Sequence, residues 1–223
     1  NKMIVNFDND REKITNIEEV ILAEPKSRND FEIVILESLK TKNSVLITRM
    51  KKKHKKKLDE LHLQNQYNIE IDNYGRTAII RKENIKVSKV AKVAILSGGT
   101  SDQYVVEEII FCLKYFGINA LTFPDIGVAG IHRHKDALEK IENNENIKLL
   151  IVVAGNEGAL FSVISSQTKL PMIAVPTSIG YGYGGKGETA LKSALQSCSP
   201  GVVAVNIDNG FGAAAFAKKL FSF

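Results

Sequence analysis

The sequence predicts an α/β protein: a doubly wound parallel sheet preceded by a small N-terminal α+β domain. Three observations carry this reading. From about Lys89 onward, short apolar runs alternate five times with helical stretches. Those runs are almost continuously apolar, as strands buried on both faces are. Residues before Lys89 lack that rhythm and show a hairpin pattern around one helix instead. The expected domains are 1–88 and 89–223.

In the first domain "EEVILA" and "SVLITRM" read as strands on either side of the helical "DFEIVILESLK". "YNIEIDNYGRTAIIR" reads as a hairpin turning near Asn73-Tyr74-Gly75, and "RKENIKVSK" as a linker. The second domain opens with the strand "KVAILSG" and the amphipathic helix "DQYVVEEIIFCLKYFG", stopped at Gly117. Four more pairs follow: "NALTF" with "HRHKDALEKIENN", "KLLIVVA" with "EGALFSVISSQT", "MIAVP" with "GETALKSALQSC", and "GVVAVNI" with "GFGAAAFAKKLF". In such folds the loops that follow the strands share one sheet edge, and ligands bind there.

Composition sets limits on function. With 44% apolar and 25% charged residues over 223 positions, the chain can bury a real core. Its longest apolar runs last about six residues against the roughly 20 a membrane span needs, so no membrane partner is expected. No basic-then-apolar leader is visible, and a cytoplasmic setting is expected. Two cysteines make neither a disulfide framework nor a zinc set. Cys112, mid-helix among Ile, Phe and Leu, reads as a packed thiol. Cys198, in "LQSCSPG" at a helix end, stays open between a packed thiol and a nucleophile. It is expected in the same region as "NIDNGFG".

The run "KKKHKKK", Lys51 to Lys57, supplies the basic character. Removing its six positive charges takes the formal net charge from +5 to −1. No aromatics interleave it, so it reads as a solvated helix start or loop and no nucleic-acid partner is expected; a weak polyanion contact is the alternative.

The polar groups gather in the post-strand loops. "SGGTSD" offers glycines for close backbone approach, hydroxyls on Thr100 and Ser101, and a following helix N-terminus. That suits a phosphate cradle or, equally, a capped turn using Ser101 or Asp102. "GIHRH" brings His132 and Arg133, and "AGNEGAL" brings Glu157, whose plainer role would be a helix-dipole partner. "PTSIGYGYGGKG" holds five glycines between Gly180 and Gly187, as a mobile ligand-wrapping loop would, with Lys186 available to a phosphate. Convergence of four such loops is a stronger signal than any one.

"SGGTSD", "GVAGIHR", "VVAGNEGAL", "PTSIGYG", "SCSPG" and "NIDNGFGAA", in this order and spacing, resemble the LarB family. That family is the pyridinium-3,5-biscarboxylic acid mononucleotide synthase of nickel-pincer cofactor biosynthesis. The resemblance covers nearly the whole chain, is most specific over 95–216, and is weaker over 1–88. The family's Gly-Phe pair near Thr15-Asn16 is absent, and the lysine run is foreign to it. The second domain also resembles the flavodoxin-like, octameric class I aminoimidazole ribonucleotide (AIR) carboxylase, PurE, of purine synthesis. "GTSD" and His132-Arg133 match that enzyme. Its His-Leu-Pro-Gly element does not, since the chain reads Ala159-Leu160-Phe161-Ser162 there. The purine activity is the alternative.

The resemblance implies a carboxylase/hydrolase acting on nicotinic acid adenine dinucleotide, carbon dioxide and water. It would release AMP and a pyridinium mononucleotide with carboxylates at ring positions 3 and 5. A thiolate adding to the electron-poor ring makes a dihydropyridine whose carbon 5 is nucleophilic enough to take carbon dioxide. The roles implied are Cys198 as ring nucleophile, Glu157 as base and His132 as handler of carbon dioxide or its proton, the last two exchangeable. Thr100, Ser101 and Asp102 would hold phosphate and ribose, and Gly99, Arg133, Gly155, Asn156 and Ser178 would also bind substrate. The Gly180–Gly187 loop, with Gly180, Tyr181, Gly182 and Lys186, would close over the dinucleotide, and Asn206, Asp208 and Asn209 would line the pyridine side. No tightly bound cofactor is expected, Mg2+ being allowed, and the assembly implied is a homo-octamer.

Overall fold

The structure is a computed structural model that describes residues 11–61, 63 and 66–222, the Glu12 side chain excepted. Within it the chain divides into two compact units, Asn1–Lys86 with Lys218–Phe223, and Val87–Ala217.

In the first unit β1 (Ile21–Leu22), β2 (Ser44–Thr48), β3 (Asn68–Ile71) and β4 (Ala78–Arg81) form a sheet in the order β1-β2-β4-β3. β1 runs parallel to β2; the other pairs are antiparallel. A short helix α1 (Arg11–Thr15) precedes β1. The hairpin expected at Asn73-Tyr74-Gly75 is present. Asp72 Oδ1 accepts the Tyr74 and Arg76 N–H groups, and Gly75 takes a left-handed φ of 66°. Helix α2 (Arg28–Thr41) starts at Ser27, which accepts the Asp30 N–H. It buries Phe31, Val34, Ile35 and Leu39 against Val45, Ile47 and Ile80 of the sheet. The lysine run is the start of helix α3 (Lys52–Glu60), which buries only His54 and Leu58.

The second unit is the doubly wound domain. Strands β5 (Ala91–Ser97), β6 (Asn119–Phe123), β7 (Leu149–Ala154), β8 (Met172–Pro176) and β9 (Val202–Ala204) pair in parallel, in the order β6-β5-β7-β8-β9. Helices α4 (Gln103–Tyr115), α5 (His132–Glu142), α6 (Ala159–Ser165), α7 (Glu188–Leu195) and α8 (Gly210–Leu220) follow them in turn. Every residue of β7 and β8 is buried, which is why neither alternates in sequence. Cys112 is fully buried, the packed thiol its neighbours in sequence implied. Ala213, Ala214 and Ala217 of α8 are buried, and Phe216 stays half exposed. No helix of the described residues is long and apolar enough to cross a membrane.

Candidate active site

From β5 the chain moves to one side to form β6 and returns to the other to form β7. At such a reversal of strand order the loops part and leave a crevice beyond the carboxyl ends of the strands. A cleft of about 380 Å³ lies among these loops. The loop after β5 lends it Gly98, Gly99, Ser101 and Asp102; the segment after β6 lends Gly127, Val128, Ala129 and Arg133. The loop after β7 adds Gly155, Asn156 and Glu157, with Leu160 of α6 and Ile179 from the loop after β8.

Two glycines set how closely these loops approach. A Cβ on Gly127 would stand 2.6 Å from the Gly98 carbonyl oxygen. One on Gly155 would stand 2.3 Å from the Ile179 carbonyl oxygen and 2.6 Å from Thr177 Oγ1. Any side chain at either position would force the loops apart. Arg133 lies across Gly130, whose Cβ would meet its Nε at 2.4 Å, and donates from Nη1 to Asp125 at 2.9 Å. This partly exposed guanidinium is the cation among the described residues lining the cleft.

Asp102 is buried and fully engaged. Oδ1 accepts the Thr177 hydroxyl at 2.7 Å and Oδ2 accepts the Gly99 N–H at 3.0 Å. Burial pushes its carboxyl above the ordinary 3.8, Asp208 adds to the rise, and the two hydrogen bonds oppose it. Asp102 therefore fastens the loops after β5 and β8 to each other, rather than presenting a free carboxylate to a phosphate. The folded state holds this proton more tightly than the unfolded chain does. Its contribution to stability is complete below the ordinary carboxylate pKa and is lost as pH rises through the raised folded value. Asp102→Asn can accept from Gly99 and donate to Thr177, so melting profiles should lose that slope while neutral-pH stability changes little. Thr177→Val strands a buried carboxylate oxygen and should cost about 1–3 kcal/mol in denaturant unfolding.

Glu157 is exposed at the cleft, in a turn where Asn156 and Gly158 both take left-handed φ values of 50° and 67°. Gly158, not Glu157, is the N-cap of α6, and no side chain caps that helix. A capping role does not account for the carboxylate.

The other sequence-predicted residues do not line this cleft. Thr100 is exposed in the 3-10 turn Thr100–Asp102, and His132 is exposed at the first position of α5, next to Arg133. Gly180, Tyr181, Gly182 and Lys186 lie in the turn leading through Gly182–Gly187 to α7, where Tyr181 and Tyr183 are 86% and 100% exposed. Asp208 Oδ1 accepts the Ser178 N–H at 2.8 Å and the Tyr104 hydroxyl, which also contacts Ser178 Oγ at 3.1 Å. Asn209 accepts the Gly212 N–H at the start of α8, and Asn206 accepts the Ile207 N–H. These three residues organise the loop after β9.

Cys198 corrects an expectation. The sequence groups it with Asn206–Asn209, but those residues follow β9 and Cys198 precedes it. In a parallel sheet the turns entering strands lie at the edge opposite the turns leaving them, so one protomer keeps Cys198 away from its own cleft. The thiol is exposed. Its neighbour Ser197 meets Ser162 of α6 at 2.9 Å. Exposed Leu195 (66%) and Val203 (50%) stand near it in sequence.

Sequence reasoning missed Gly127, Ile179, Thr177 and Tyr104. Gly127 and the Thr177–Ile179 stretch lie inside segments already singled out. Tyr104 on α4 carried no signal, because an aromatic at helical spacing reads as core. Among the described residues no group of three or more His, Cys, Asp and Glu side chains could hold a metal ion.

Two family models match the chain. Residues 92–223 match the family model described as AIR carboxylase, and residues 1–82 the one described as LarB/PurE-like N-terminal domain. An uncharacterized protein of Methanocaldococcus jannaschii is 42% identical over 95% of this chain and 81% of its own length. The N5-carboxyaminoimidazole ribonucleotide mutase of the same organism is 33% identical over 58% of this chain and 78% of its own. A crystal structure of Treponema denticola PurE is 26% identical, with a TM-score of 0.49, over 58% of this chain and 79% of that one.

Proposed function

The chain belongs to the LarB family, in which a LarB/PurE-like N-terminal domain precedes an AIR carboxylase domain, and on that premise we propose that it carboxylates and hydrolyses nicotinic acid adenine dinucleotide. The observation that carries the reading is the cleft at the strand reversal. Arg133 offers a phosphate a cation, and the unengaged Glu157 carboxylate lines the same cleft.

The chemistry balances without an oxidant. A Cys198 thiolate bonds to ring carbon 4 or 6, and the ring electrons move to nitrogen. Carbon 5 then attacks carbon dioxide, and Glu157 takes the carbon 5 proton. The nitrogen lone pair finally expels the thiolate, which keeps the C–S pair and leaves an aromatic pyridinium with a second carboxylate. Water attacking the phosphoanhydride releases AMP. Cysteine suits addition and departure alike. His132, beside Arg133, is the candidate for handling carbon dioxide.

Cys198 is at the far sheet edge of its own subunit, so in this reading it serves the cleft of a neighbouring subunit. The apolar Leu195 and Val203 near it would be covered by that contact. A homo-oligomer, built to an octamer as in the PurE-like carboxylase, is then a condition of catalysis and not an accessory to it.

A second reading, AIR carboxylation, draws support from the 33% identical mutase and from a cleft that holds no cysteine of its own subunit. Incubation with labelled bicarbonate and each nucleotide in parallel separates the two. Label in a pyridine mononucleotide, with AMP released, supports the proposal; label in an aminoimidazole ribonucleotide alone overturns it.

A further inference from the structure

The lysine run is not a uniformly solvated face. His54 fixes the rotation of α3: it is fully buried, its Nδ1 accepts the Lys51 N–H at 3.0 Å, and its Nε2 meets the Lys26 carbonyl at 3.0 Å. Its ring packs on Phe31 at 4.9 Å. With the helix so held, the lysines divide. Lys53 donates to the Lys26 carbonyl at 2.8 Å, and Lys57 pairs with Glu32 at 2.6 Å. Lys51, Lys52 and Lys55 line a separate cleft of about 370 Å³ with Arg49, Arg76 and Tyr74.

Five cations therefore line this cleft among the described residues, together with Glu24, which pairs with Lys51 at 3.3 Å. Its walls are built to converge. The Met50 N–H donates to the Arg76 carbonyl at 2.7 Å, joining the turn before α3 to the hairpin turn. Gly75, at a φ of 66°, lets Lys55 lie across it, since a Cβ there would stand 3.2 Å from Lys55 Cδ. The charges also oppose the helix. The first turn of α3 carries no acid, and lysines stand at the end where the peptide dipole favours anions. The dipole disfavours lysines at this end, and a multivalent anion seated among them would reverse that.

We propose that this cleft binds a nucleoside polyphosphate, its phosphates among Lys51, Lys52, Lys55, Arg49 and Arg76 and its base on the half-exposed ring of Tyr74. The small concave volume favours a compact anion over a nucleic-acid strand, which needs an extended track with repeated stacking positions. The proposal stands apart from the carboxylase reading, since it concerns the first unit alone.

The test is titration calorimetry on the full chain at about 150 mM salt, where loose surface attraction is screened. ATP serves as the nucleotide probe and inorganic tripolyphosphate as the phosphate-only probe. One variant replaces Lys51, Lys52 and Lys55 by Gln; a second of equal net charge replaces Lys53, Lys56 and Lys57. Circular dichroism verifies that both fold. The first variant should weaken both probes by about tenfold or more and the second by less than about threefold. Tyr74→Ala should weaken ATP and spare tripolyphosphate. Equal losses in the two triple variants would show bulk charge at work and overturn the site. So would an absence of ATP binding at millimolar concentration, or RNA binding that strengthens with strand length and outcompetes ATP.

Discussion

Cys198→Ala should lower carboxylation by more than about a thousandfold, as loss of a covalent nucleophile does. Dinucleotide affinity should stay within about tenfold, because the thiol adds to the ring and contributes little to holding phosphate or ribose. Cys198→Ser should fare no better, since an alkoxide is hard to form and a poor leaving group from the ring. Rapid carboxylation by either variant would remove the covalent step. Equilibrium dialysis beside a labelled-bicarbonate assay gives both numbers.

The second large effect is expected at Glu157. Glu157→Gln keeps the shape of the turn and removes the base. The rate should fall by about 10²–10⁴ with binding nearly intact. A helix-dipole role would give the reverse pattern, a small loss of stability and a rate near wild type. The structure removes only a capping role, because Gly158 occupies the N-cap of α6 and the Glu157 carboxylate caps nothing. A pH profile of kcat separates a missing base from a displaced loop. Loss of the base removes the acid limb, and displacement leaves the limb in place at a lower rate.

The sheet was legible because its signals are local. Unbroken apolar runs such as "LLIVVA" demand burial on both faces, and Gly117 closes α4 at the position the pattern gave. The post-strand loops were legible for the same reason, since each carries its own glycines and polar groups. Contacts between loops were not. Asp102 looks like a ligand residue in "SGGTSD", and only the approach of Thr177 from a distant loop shows that both its oxygens are taken. Tyr104 holding Asp208 is likewise invisible along the chain. The placement of Cys198 was readable in principle, because a residue before a parallel strand lies opposite one after it. Nearness in sequence to "NIDNG" obscured that rule. The lysine run shows the limit of composition: six neighbouring lysines look equivalent until a buried His54 fixes the helix and sends them to different neighbours.

The account depends most on Glu157 of one subunit and Cys198 of another meeting at one substrate. Mixing inactive Cys198→Ala and Glu157→Gln proteins, after dissociation and reassembly, tests this directly. A cleft with intact Glu157 beside a neighbour with intact Cys198 arises in about a quarter of sites under random assembly of equal amounts. Carboxylation of nicotinic acid adenine dinucleotide should therefore return to about a quarter of the wild-type rate. If both residues acted within one subunit, no site in the mixture would hold both, and a mixture as inactive as its parents would contradict the account.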